Sequence, residues 1–162
     1  MKKLILFILL GITSLTISSC KKDDSTEDGT SQYYFRAKID GQDYEADPRT
    51  VQAIFLLNEA SITAKKELTS LNNIFALSIN PFNGEGVYLT TDDSLVLHHL
   101  TYQGENDRWT ATSDGQGIIE ITKYDEDKQI IEGTFSFVGY SDTTGTTIQV
   151  TDGEFKAGPG GN

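Results

Sequence analysis

The residues able to do chemistry are few and scattered. His98 and His99 are the two histidines of the 162-residue chain. Neighbouring side chains on a strand point to opposite faces, so an adjacent pair does not share one metal; that would need positions i and i+2. One histidine is expected to face solvent and the other to be partly buried. Carboxylates are plentiful, grouped as Asp92-Asp93, Asp125-Glu126-Asp127 and Asp152 with Glu154. The calcium-loop pattern D-x-[DN]-x-[DN]-G does not occur, so these groups are read as turn formers, and no metal site and no cofactor is assigned. Glycoside hydrolysis needs two carboxylates at a defined separation in a cleft, whereas these fall in turns and on solvent faces. No G-x-S-x-G, H-E-x-x-H or phosphate loop is present. No catalytic residue is assigned, and the reading is non-enzymatic. The alternative is a small hydrolase acting on glycans through a carboxylate pair. Tyr102, Arg108 and Trp109 flank one hairpin tip, Gly104 to Asp107. An aromatic beside an arginine can stack on a sugar or a peptide, which makes these three the ligand-binding candidates. Against them stands the tendency of a tryptophan in a small β-domain to be core.

Cys20 is the sole cysteine. It follows a segment built like a secretory signal: Lys2 and Lys3, an apolar run from Leu4 to Leu10, then the small residues Ser18 and Ser19. Thr13, Ser14, Thr16 and Ser18 interrupt the apolar run, which disfavours a spanning helix. Ser18-Ser19-Cys20 resembles a bacterial lipobox. That resemblance implies a diacylglyceryl group on the Cys20 thiol and cleavage after residue 19. Each buried methylene contributes about 0.8 kcal/mol, so two or three acyl chains hold a protein on a membrane without any transmembrane helix. Lipidation leaves no thiol for a disulfide, a zinc site or a nucleophile.

The implied layout is a signal at 1–19, a lipidated cysteine with an acidic tether at 20–32, a β-domain at 33–157 and a glycine-rich flexible tail at 158–162. From Lys21 to Ser31 there is no aliphatic and no aromatic residue. Such a stretch cannot pack and is expected to be a disordered spacer. Within it Lys22, Asp23 and Asp24 resemble the acidic export signals of Bacteroidota surface lipoproteins. This implies the bacterial outer membrane, on its outer surface rather than its periplasmic face. The formal net charge is −11, and loss of Lys2 and Lys3 with the signal makes it more acidic still. A surface of that sign repels nucleic acid and anionic lipid head groups. Expected partners are the membrane through the lipid, and a glycan or an envelope protein through the domain. The oligomeric state is not read from these features.

Strand signals dominate the domain. Phe35, Ala37 and Ile39 alternate with Arg36 and Lys38, and Asp40-Gly41 marks a hairpin into Gln42–Ala46. Val51 to Leu57 is apolar at nearly every position and is read as a strand covered on both faces. Ile74 to Ile79 is a buried strand closed by Asn80-Pro81. Leu95–Tyr102 and Arg108–Thr112 flank a hairpin tip. Gly117–Tyr124 puts Ile119 and Ile121 on one face. Ile131, Phe135 and Phe137 share a face, with Glu132, Thr134 and Ser136 opposite. Asp152-Gly153 is placed as a bulge that shifts the phase before Phe155. About nine short strands with regular turn signals predict an all-β, antiparallel β-sandwich or barrel-like fold. Three motifs, F-R-A-K-I-D-G from Phe35, G-T-F-S-F from Gly133 and V-T-D-G-E-F from Val150, together resemble those of uncharacterised Bacteroidota lipoproteins with a small β-domain. The resemblance implies a fold and carries no catalytic residues.

Overall fold

Residues 33–91, 98–113 and 116–160 are described by a computed structural model. Cys20, Lys22, Asp23, Asp24, the Asp92-Asp93 pair and the expected strand start at Leu95 lie outside the described residues. The alternation after Tyr33 becomes β1 (Tyr34–Ile39), which turns through Asp40 and Gly41, both at positive φ, into β2 (Gln42–Glu45). Asp47 then caps a single 3₁₀ turn, Pro48–Thr50, by accepting from the Arg49 amide. The remaining strands are β3 (Gln52–Leu56), β4 (Glu59–Lys65), β5 (Ile74–Ile79), β6 (Gly86–Leu89), β7 (His99–Gln103), β8 (Arg108–Ala111), β9 (Gly117–Asp125), β10 (Ile130–Tyr140) and β11 (Thr147–Ala157).

All pairings are antiparallel. Nine strands form one continuous path, β2-β1-β11-β10-β8-β7-β5-β4-β3, while β6 and β9 branch from β10. The branch arises because β10 is long. Its residues from Ile130 to Phe137 pair with β9, and Tyr140 pairs with Thr110 of β8. One edge of β10 thus serves two sets of strands, and the sheet curls into a half-barrel. The fold is all-β and antiparallel, as expected, in the barrel-like form.

The inside of the curl is filled by aromatic rings. Phe35 lies 5.1 Å from Phe75 and 4.9 Å from Phe135, centroid to centroid, with Phe155 stacked at 6.2 Å. Ile131, Phe135 and Phe137 are buried on one face of β10, and Thr134 points out. The bulge falls where it was placed. Asp152 has φ +51, and the register shifts both between Phe135 and Phe137 and between Arg36 and Lys38. This one extra residue lets Val150 and Phe155, five apart, both face inward. Gly153 is required by close approach, since a Cβ there would sit 2.4 Å from the Phe135 carbonyl oxygen.

Two expectations change. The segment after Val51 is not covered on both faces. β3 belongs to a single curled sheet, and Ile54 and Leu56, on its outward face, are exposed. Its inner face is served by Ala53 and by Phe55, which joins Phe82 and Tyr124 in a second aromatic cluster. The glycine-rich end also packs further than expected. Gly158 is buried, and its carbonyl accepts from the Ala53 amide at 2.6 Å, so this end of the chain lies against the edge of β3.

Candidate functional site

The three residues around the β7–β8 tip do not converge. Tyr102 and Trp109 are cross-strand partners on the inward side, stacked at 6.1 Å with planes 17° apart. Arg108, one residue before Trp109, points to the opposite face and is exposed. Trp109 Nε1 donates to Thr146 Oγ1 at 3.0 Å, the ring lies over Gly104, and the Trp109 Cβ lies against Gly139. Tyr102 donates to Asn73 Oδ1 at 2.6 Å, and its burial, helped by the charge of Glu105, pushes its hydroxyl pKa up. Both aromatics pack against the core, and Arg108 on the opposite face does not join them in one patch. The tip itself is stapled to the β10–β11 turn by Asp107. Its carboxylate accepts from Ser141 Oγ at 2.5 Å, from Thr144 Oγ1 and from the Arg108 amide, and these bonds hold its pKa below the usual carboxylate range.

The histidines part as alternation requires. His98 is buried edge-on to Tyr88, and its Nδ1 donates to the Leu89 carbonyl at 2.8 Å. Its Nε2 is buried without a hydrogen-bond partner among the described residues. His99 is half-buried on the other face of β7. Among the described residues no three His, Cys, Asp or Glu side chains group so as to hold a metal ion. Asp125 accepts from the Lys128 amide and ammonium, which lowers its pKa, and so acts as a turn former. Asp152 pairs with Lys38 at 2.8 Å and Glu154 with Arg36 at 3.4 Å.

The best-formed surface is the outward face of β9, β10 and β11. The register sets Glu120 beside Thr134 and Thr134 beside Glu154, three neighbours in a row across three strands. The row above holds Ile118 and Ser136. An open depression of about 420 Å³ lies over these residues and Asp152. A second, of about 250 Å³, adjoins it and shares Ile118 and Ser136, with Leu89, Val138, Gln116 and Gln149 around it. Leu89, Ile118 and Val138 form an exposed apolar floor, although each sits on the side of its strand that alternation gives to polar residues. Glu120 makes no ion pair among the described residues. Two strand spacings put the Glu120 and Glu154 backbones about 10 Å apart. Both carboxylates stand on an open face in contact with water. The arrangement can hold a ligand by hydroxyl and carboxylate hydrogen bonds around an apolar centre.

Sequence reasoning did not find this row. One signal was present: Ile118-Ile119 are consecutive apolar residues on a strand, so one of them must face out.

No curated protein and no solved structure matches the chain. A family model does, over residues 31–159, which spans every strand described above, and the chain belongs to the family described as Domain of unknown function (DUF6252).

Proposed function

We propose that this chain is a lipid-anchored bacterial envelope protein whose β-domain binds a glycan or an envelope partner on the outward face of β9–β10–β11. The anchor reading rests on the signal-like segment ending at Cys20, and the outer-membrane, surface-facing reading on the Bacteroidota-like Lys22-Asp23-Asp24. The observation that carries the binding reading is the pair of adjoining depressions with Ile118 and Ser136 between them. The barrel interior is taken up by packed phenylalanines, and among the described residues this outer face carries recessed surface. In the cell, the wild type should take up a clickable palmitate analogue and fractionate with outer membrane, and Cys20→Ala should do neither. A Cys20→Ala protein that keeps the label overturns the anchor.

The second reading, a glycan hydrolase, is favoured by one feature, the two carboxylates Glu120 and Glu154 flanking Thr134. It requires release of reducing sugar from envelope glycans that Glu120→Gln abolishes. Equal release by wild type and variant removes it.

A further inference from the structure

The β3–β4 hairpin ends in a feature that folding does not explain. Leu57, in the turn between Leu56 and Asn58, is 99 % exposed and has φ +56. A leucine in the left-handed region is strained, and glycine or asparagine would relieve it. Beside it Leu56 is 68 % and Ile54 54 % exposed, on the same outward side of β3. In an acidic chain this stretch is nearly uncharged: Val51 to Ala64 contains one ionisable residue, Glu59, and that carboxylate accepts from Ser78. A bare aliphatic tip of this kind fits a lipid surface.

Its position says which surface. The described chain begins at Tyr33, whose hydroxyl lies against Gly158, and the Gly158 carbonyl takes the Ala53 amide of β3. The N-terminal segment therefore enters the domain beside β3, and the tip is only the length of that strand away, about 13 Å from Ala53 to Leu57. Residues 20–32 reach at most about 45 Å when extended. An anchor at Cys20 keeps the hairpin close to the bilayer, where even a weak contact becomes effectively intramolecular.

We infer that Ile54, Leu56 and Leu57 form a membrane-docking tip that seats in the interface of the bilayer carrying the anchor. This rests on the lipid-anchor reading. Three aliphatic side chains would enter the boundary between head groups and acyl chains, to about 5–10 Å. Docking there would fix which way the outward face of β9–β10–β11 is presented.

The sole cysteine allows a test that does not depend on lipidation in the cell. The chain from Cys20 onward is coupled through that thiol to a maleimide phospholipid in phosphatidylcholine vesicles with brominated acyl chains. Leu57→Trp is compared with Asp142→Trp in the exposed β10–β11 turn, and the wild type, with Trp109 alone, sets the background. The inference expects a blue shift and bromine quenching of the indole introduced at 57, and neither at 142. Equal quenching at both sites, or none at 57, overturns it. So does a dimer of the uncoupled chain that Leu57→Ser dissolves, because the tip would then be covered by a second copy. If quenching at 57 occurs but no palmitate is incorporated in the cell, the anchor reading fails and the lipid affinity of the tip stands.

Discussion

The two faces of β10 share a backbone and differ in almost everything else. Inward, Ile131, Phe135 and Phe137 sit in a core of rings 5–6 Å apart, and Gly133 and Gly139, like Gly153 of the neighbouring β11, are glycine because a Cβ would strike a neighbour. Outward, Thr134, Ser136 and Val138 line open depressions. The packing is therefore concentrated on one side of the strand and the open, recessed surface on the other. Side chains two apart share a fate, and side chains one apart do not.

The comparison breaks first if the inner face tolerates truncation. Phe135→Ala should cost about 3–5 kcal/mol through lost transfer energy and the cavity left behind, a large part of the ~5–15 kcal/mol available to a small domain. Thr134→Ala should stay within about 0.5 kcal/mol. Urea midpoints measure both, and equal losses would show that the faces are misassigned. Next in size is Gly153→Ala. The added methyl meets the Phe135 carbonyl and ring, so about 1–3 kcal/mol is expected, and thermal unfolding that does not move would contradict the close approach at the bulge.

Asp107 sharpens the comparison at the end of the barrel. Its folded pKa lies below the ordinary value, because Ser141 and Thr144 donate to the carboxylate. The stabilisation is thus fully present above the unfolded pKa of about 3.9 and is lost as pH falls through the folded value. Wild type should exceed Asp107→Asn in urea midpoint by a constant margin above that pH, and the margin should shrink below it. A margin that persists to the lowest pH at which the protein folds would mean that the stabilisation does not depend on the ionised form of this carboxylate. The smallest effect is at Leu57. Leu57→Asn should hold or raise stability, by less than about 1 kcal/mol, because asparagine tolerates positive φ. A clear loss would mean that the leucine packs in solution.

Much of the inner face was legible in the chain. The alternation Phe35, Ala37, Ile39 and the trio Ile131, Phe135, Phe137 named core positions, and Asp152-Gly153 named the bulge. These are local signals with period two. What was missed is non-local. That the sheet curls as one layer, leaving Ile54 and Leu56 on an open face, depends on which strands pair, and composition does not carry that. The Glu120-Thr134-Glu154 row exists only through the register of three strands. Arg108 and Trp109 are a different case: the alternation that separates His98 from His99 also separates them, and applying it there would have dissolved the binding candidate beforehand.

The central claim is that the outward face binds while the inward face carries the fold. Ser136 lies between the two depressions, so Ser136→Arg fills both without touching the core. The immobilised domain, wild type or variant, is exposed to a glycan panel and to solubilised envelope, with urea unfolding followed in parallel. The account predicts an unchanged urea midpoint and loss of whatever the wild type retains. Retention of the same glycans and proteins by a variant that unfolds at the same midpoint would contradict it.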